Sequence, residues 1–390
     1  MVDLLYAFKF DIIMNKIYLD NAATTKPDGE ILNAAIEFLN GEGFYNPSAL
    51  YKSAREVKNV IENARKKLLS LFPAGYDAVF TSCGSEADDM AIFSFARRGN
   101  AVTDAGEHAA VYNTFAEIKQ RGIETRFAPL NKNGSVNAEK LLELIDDKTA
   151  FVSIMQVNNE TGAVNDVNEI AAAVKKKNPN MIFHCDGVQG FLKIPQKISQ
   201  NVDIYCLSAH KIKALKGLGA IVYKKNLPLK PLIFGGGQEK KLRSGTENTL
   251  AIDVFLRAID KYSSVKDNYE KAVDLKSVFI SAIENDLNSG AITLISDESC
   301  SPFIVSVSIK GVKAEIMQRV LDDEGVIVGT GSACSSRIGV SRVISACITD
   351  KAIAEGALRI SFSFDTARQD VAVAAQKISE CAKKLKSALK

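Results

Sequence analysis

A chain of 390 residues exceeds the usual limit of one hydrophobic core, so two domains are expected. Hydrophobic residues at 46% and charged residues at 24% are ordinary globular values. The net charge of +3 is close to neutral and no long Lys/Arg block tracks a phosphate backbone, so nucleic acid is excluded as a main partner.

Seven cysteines, an odd number, are scattered without a CxxC pair or a His/Cys cluster of zinc spacing. No metal is therefore expected, and reduced thiols in a cytoplasmic setting fit best. The stretch Val2 to Ile13 is apolar but interrupted by Asp3, Lys9 and Asp11, which reads poorly as a signal peptide; Met14 is a candidate start. No other stretch approaches the ~20 apolar residues of a membrane span, so no membrane partner is expected.

From about Asp28 to Tyr223 helical and strand patterns alternate, as in a mostly parallel sheet with helices on both faces. Ser48 to Phe72 has helical periodicity, with Val57, Val60, Ile61, Ala64, Leu68 and Leu71 on one side. Strand-like runs follow at Ala78 to Thr81, Ala101 to Thr103, Ala150 to Met155, Met181 to Phe183 and Val202 to Leu207. Helical stretches lie between them at Ala109 to Gln120, Ala138 to Ile145 and Val167 to Lys177. After a helical run beginning near Thr249 the pattern shifts. Long charged helices, Tyr262 to Leu287 and Ala367 to Leu389, enclose short strands at Phe303 to Ile309 and Leu358 to Phe362, which suggests a smaller α+β domain. The expected division is a large α/β domain over residues 28–255 and a small domain over 1–27 plus 256–390. The small domain includes a loop at about 329–341, rich in small residues and expected to be mobile.

The chemistry concentrates at predicted strand ends. Lys211 follows the apolar run Val202 to Leu207 in Ser208-Ala209-His210-Lys211, and a second run ends in Asp186-Gly187-Val188-Gln189. A lysine at one strand end with a carboxylate at another is what holding pyridoxal 5'-phosphate requires. The amine condenses with the cofactor aldehyde, the Asp keeps the pyridine nitrogen protonated, and Ser208 and His210 can bind phosphate. Asp186 is equally a candidate helix N-cap. Thr81 to Glu86 joins a strand to a predicted helix, Glu86 to Ala96, and is either a phosphate seat built from backbone N–H groups or a plain Ser-capped helix start.

Of the three histidines, His108 starts a helix where its imidazole can lie over a cofactor ring and shuttle protons, or is an ordinary surface residue; His184 looks like packing. Asn158 to Gly162 closes a strand, either as a turn or as a source of amide contacts to a substrate carboxylate. Arg359, flanked by strand formers, suits bidentate capture of a carboxylate or stands on a strand edge. Cys334 alone sits in a polar, glycine-bounded loop, whereas Cys185 and Cys206 lie in apolar strands where a thiol is usually inert. An unperturbed thiol, pKa about 8.5, is only a few per cent thiolate at neutral pH, so a base such as His108 has to take its proton.

In this order the segments resemble the NifS/IscS-type cysteine desulfurases, a branch of the class V aminotransferase family. The resemblance runs from Tyr18 to Thr25 through Thr81 to Glu86, Glu107-His108, Val157 to Gly162, Asp186 to Gln189 and Ser208 to Lys211. It continues through Arg243 to Asn248, Gly331 to Cys334 and Leu358 to Ser361. It implies a pyridoxal-phosphate-dependent transferase of fold type I, acting on L-cysteine as a homodimer and passing sulfur to an acceptor protein such as an iron–sulfur scaffold.

Lys211 then carries the cofactor, Asp186 meets its ring nitrogen, His108 stacks on the ring and moves protons, and Gln189 meets its phenolic oxygen. Gly84, Ser85, Ser208 and His210 hold the phosphate, with Thr246 reaching in from a second subunit. Asn159 meets cofactor and substrate, Arg359 holds the substrate carboxylate, and Cys334, on a loop like that of the mobile-cysteine group, is the nucleophile that keeps the sulfur as a persulfide. Ala209, Lys213-Ala214-Leu215 and Ser361 to Phe364 depart from the family pattern beside the site. A selenocysteine lyase, another class V enzyme or an inactive scaffold of the same fold are the alternatives.

Overall fold

The computed structural model describes residues 16–331 and 340–388. The chain divides into two compact units, one of Thr24–Asn158 with Val164–Asn268, the other of the residues up to Ala23, Asn159–Ala163 and those from Tyr269 on. Strand β1 (Ile17–Tyr18) belongs to the second, smaller unit.

The larger unit is built on seven strands, β2 (Tyr76–Thr81), β3 (Asn100–Asp104), β4 (Glu124–Ala128), β5 (Thr149–Ser153), β6 (Ile182–Asp186), β7 (Ile204–Ser208) and β8 (Gly219–Lys224). Their order in the sheet is β2-β8-β7-β6-β5-β3-β4. β3 runs parallel to β4 and β5, β5 to β6, and β6 to β7, while β8 lies antiparallel between β2 and β7. The expected mostly parallel sheet is thus present. Every residue of β3 and β7 is buried, the signature of parallel strands covered on both sides. The helices Gly84–Phe95 and Ala109–Gln120 pack on it through Met90, Ile92, Val111 and Phe115 against Val79, Phe151, Ile204 and Ile221.

Because β3, β5, β6 and β7 are parallel, their C-terminal ends share one sheet edge, and three of those ends are polar and buried: Asp104, Asp186 and Ser208. The edge outside the carboxyl ends of parallel strands is where α/β folds bind ligands.

The helices expected at Ala109 to Gln120 and Val167 to Lys177 are found with those bounds. The expected helix Ser48 to Phe72 is Lys52–Leu69, with Val57, Ile61, Ala64 and Leu68 buried. β4 escapes sequence reading because Glu124, Thr125 and Arg126 break its apolar pattern at the sheet's edge. Likewise the expected helix Tyr262 to Leu287 is two, Val265–Ala282 and Glu284–Asn288, preceded by Thr249–Tyr262.

Asp28 caps the helix Gly29–Phe38, accepting from the N–H groups of Glu30 and Ile31. Its other oxygen accepts from the Tyr262 hydroxyl at 2.5 Å and pairs with Lys261 at 2.9 Å. Burial raises this carboxyl, but the bonds from Tyr262, Lys261 and Ile31 outweigh it and hold the group down to about 2. A lowered folded-state pKa stabilises at pH values above the ordinary carboxylate range, and that stabilisation fades as pH falls through the folded value. Asp28→Asn is therefore expected to destabilise the fold by about 1–2 kcal/mol at neutral pH. The gap to the unmutated protein should stay level down to about pH 4 and shrink below it, as read by urea unfolding at several pH values.

The smaller unit holds β9 (Thr293–Leu294), β10 (Ile304–Ser308), β11 (Val326–Ile327) and β12 (Ala357–Ser361). β10 pairs antiparallel with β12 and β9, and β1 runs parallel to β11. The helices Ala314–Asp323 and Arg368–Ala388 supply Met317, Leu321, Val371 and Ile378 to a core with Leu19, Val305, Val307, Leu358 and Ile360. No helix among the described residues is long and apolar enough to cross a membrane.

Candidate active site

At the end of β6, Asp186 is only 4% exposed and its Oδ1 accepts from the Val188 N–H at 2.9 Å, so it is not a helix cap. Burial raises its carboxyl, while the charge of His108, the Val188 N–H and the charge of Lys211 pull it back. Those terms bring His108 and Lys211 within electrostatic reach of Asp186. Two more buried carboxyls share this neighbourhood. Asp88 and Glu107 are held well above the usual carboxylate range, first by burial, then by Asp186 at Asp88 and by Asp104 and Asp186 at Glu107. The sheet edge is acid-rich and dry, an environment that favours a cation.

Lys211 ends the short turn Ala209–Lys211 directly after β7. The turn is fixed by backbone bonds: the Ala209 N–H donates to Leu218 O at 3.0 Å, and the Thr25 N–H and hydroxyl donate to His210 O at 3.0 and 2.7 Å. His210 Nδ1 lies 3.1 Å from Thr24 Oγ1. Burial, helped by the charges of Lys211, Lys193 and Lys216, pushes His210 down to about 3, so its imidazole is a neutral hydrogen-bonding group.

Lys213, one of the departures from the family pattern, has φ of 64°. That conformation costs a residue with a Cβ about 1–2 kcal/mol. Its N–H donates to Thr25 Oγ1 at 2.8 Å and its carbonyl accepts from the Asp28 N–H at 2.9 Å. Bonds made by the main chain survive a change of side chain, so the segment beyond Lys211 stays anchored despite its altered sequence.

The helix Gly84–Phe95 starts against the same edge. Its N-cap is Cys83, whose sulfur accepts from the Glu86 N–H at 3.4 Å, rather than a serine. A Cβ on Gly84 would stand 2.9 Å from Val188 Cγ2 and 3.4 Å from Ser208 Cβ, so only glycine fits here. The first N–H groups of a helix have no partner four residues back and attract an anion. Gly84, Ser208 and the turn after Asp186 thus converge, with Ser85 exposed beside them. Glu86 is held by Arg243 at 3.0 Å and by the Ser82 N–H at 2.8 Å.

His108 caps the helix Ala109–Gln120, its Nδ1 accepting from the Ala110 N–H at 3.2 Å, which leaves Nε2 as the proton-bearing nitrogen. Gln189 is buried, and its Oε1 accepts from Lys193 Nζ at 3.4 Å. Thr246 is exposed and lines a surface cleft with Thr81, Ser82, Gly217 and Arg243.

Sequence spacing gave no sign of Asp88, His184 and Cys206 meeting. His184 Nε2 lies 3.3 Å from Cys206 Sγ and 3.4 Å from Asp88 Oδ1, while Nδ1 lies 2.8 Å from Ser153 Oγ. Burial pushes His184 down to about 3, so it is neutral, in line with the packing role expected for it.

In the smaller unit, Arg359 sits in the middle of β12 and is 4% exposed. It donates through Nη1 to Asn159 O and through Nη2 to Asp20 Oδ1, both at 2.7 Å. Its buried Nε–H has no partner. An orphaned guanidinium donor is costly unless a ligand takes it, and a carboxylate is the matching acceptor. Gly329 lies alongside, where a Cβ would fall 2.6 Å from Asp20 Oδ1 and 2.9 Å from Arg359 Nη2. Next to Asn159, Glu160 is buried, and its Oε2 accepts from the Ser341 hydroxyl at 2.5 Å. Asp20, Glu160 and Gly329 were not singled out from sequence; their roles come from long-range pairings.

Cys334 lies outside the described residues. Of the other cysteines only Cys83 is not buried. Burial raises Cys300 to about 12 and Cys347 to about 11, and Cys185 and Cys206 well above the ordinary range, so none of these is poised as a thiolate.

The aminotransferase class-V family model matches residues 17–373. The chain is 31% identical over 384 residues to the cysteine desulfurase IscS of Methanosarcina thermophila, covering 95% of this chain and 93% of that protein. Among solved structures, a NifS-like protein from Rickettsia africae ESF-5 superposes with a TM-score of 0.84 at 29% identity, covering 94% of this chain and 99% of that one. SspA in complex with cysteine matches with a TM-score of 0.75 at 28% identity, covering 88% of this chain and 98% of that one. With a family match over most of its length, and with the strand-end lysine and buried aspartate in that family's order, the chain belongs to the aminotransferase class-V family.

Proposed function

We propose that the protein is a pyridoxal-5'-phosphate-dependent L-cysteine desulfurase. The observation that carries the reading is the sheet edge where Lys211 follows β7 and the buried Asp186 ends β6, beside a helix start at Gly84 that only glycine allows. The cysteine desulfurase names of its relatives support the substrate.

The residues fit the cofactor. Asp186 and its acid-rich surroundings favour a protonated ring nitrogen, and the cradle of Gly84, Ser85, Ser208 and neutral His210 suits a phosphate. When bound, the cofactor supplies an electron-accepting ring. Lys211 binds it through its amine, Gln189 orients it, and His108 exchanges the substrate's α-proton at Nε2. Asn159 and Arg359 take the substrate carboxylate. Cys334, as thiolate, forms a bond to the substrate sulfur while the carbon–sulfur bond breaks, which leaves alanine and a persulfide for an acceptor protein. A homodimer completes the site, since an exposed Thr246 serves a neighbour's phosphate better than its own.

The test is to supply L-cysteine and a thiol reductant to cofactor-loaded protein and quantify alanine and sulfide. Equimolar release is expected; alanine from selenocysteine but not from cysteine would move the assignment to a lyase. Arg359→Lys keeps the charge but loses the planar fork, and is expected to lower kcat/KM by about 30- to 150-fold, mostly through KM, the equivalent of about 2–3 kcal/mol. Steady-state kinetics at varied cysteine check it.

A further inference from the structure

Lysine is almost never fully buried without a partner, yet Lys193 is 3% exposed. It lies one turn beyond Gln189, in a segment with little freedom. Leu192 is held at φ of 58°, and the Lys193 N–H donates to Gly190 O at 2.9 Å. A Cβ on Gly190 would fall 2.0 Å from Gln156 Oε1. Backbone strain of this kind persists only where surroundings impose it.

The consequence lies in how an amide is oriented. A glutamine side chain has an acceptor end and a donor end, and an ammonium only donates. Lys193 Nζ stands 3.4 Å from Gln189 Oε1, so the acceptor end is taken and Nε2 is the end left to face elsewhere. We infer that Lys193 is a positioning residue that holds Gln189 with its N–H donors toward the phenolic oxygen of pyridoxal phosphate, keeping that oxygen anionic. The inference rests on the cofactor reading above. Its charge is also felt at His210, and although burial lowers Lys193 to about 8 it remains largely an ammonium at neutral pH.

The readout is the pH midpoint of the bound cofactor's visible band, which reports the charge balance around the ring independently of turnover. Lys193→Met is expected to raise that midpoint by about one unit, and Lys193→Arg to restore it. In a Gln189→Ala background, adding Lys193→Met should shift nothing further, because the two act as a unit. Should Lys193→Met fail to fold or to hold cofactor, Lys193→Gln, which keeps a donor for Oε1, should sit closer to the unmutated midpoint than Gln189→Ala does. A midpoint indifferent to Lys193 in cofactor-loaded protein overturns the inference alone, as does an equal shift in both backgrounds. Protein that never shows a visible band overturns the cofactor reading and this inference with it.

Discussion

Lys211→Ala is expected to abolish covalent capture of pyridoxal phosphate and to lower kcat for sulfide release by at least about a thousandfold. The expectation follows from where the amine stands. It ends a three-residue turn pinned by Leu218 and Thr25, so it is delivered by the sheet rather than by a free loop. Removing it takes away one side chain and none of the main-chain bonds that shape the edge, so the fold should survive, with an unfolding midpoint close to that of the unmutated protein. Loss of activity with retained fold and loss of the visible band would separate a chemical role for Lys211 from a structural one. A variant that keeps its band and its rate would contradict the assignment.

Cys334→Ala is expected to show the opposite pattern: an unchanged visible band and cofactor affinity, with sulfide release down by at least about a thousandfold. No described cysteine is a ready substitute, because burial keeps Cys185, Cys206, Cys300 and Cys347 protonated. Cys300→Ala, in the core of the smaller unit, should leave the rate near normal. Mass spectrometry after cysteine turnover should find one added sulfur on Cys334 and none in Cys334→Ala. If Cys334→Ala releases sulfide at the full rate, the sulfur leaves by another route and the lyase reading takes over.

Much of the site was legible because its residues sit at strand ends, where local sequence carries the signal. Asp186 and Lys211 follow apolar runs, and a run ending in a charged residue marks an edge before any fold is known. The helix starts at Gly84 and Ala109 show the limits of such reading. Capping residues betrayed both helices, but the first is capped by the sulfur of Cys83, and only the approach of Val188 explains why position 84 must be glycine. Arg359 was legible as a guanidinium among strand formers, yet its partners Asp20 and Asn159 lie 339 and 200 residues away, and no periodicity links them. Lys193 was missed for a similar reason. In sequence it is one more lysine near a proline, and its burial is decided by the packing of distant elements.

The most direct test is to load the protein with pyridoxal phosphate, reduce it with borohydride, digest it and map the modified peptide. A single adduct on Lys211 is predicted, and Asp186→Ala should weaken cofactor retention without moving the adduct. An adduct on another lysine, or none on protein that releases sulfide from cysteine, would contradict the account.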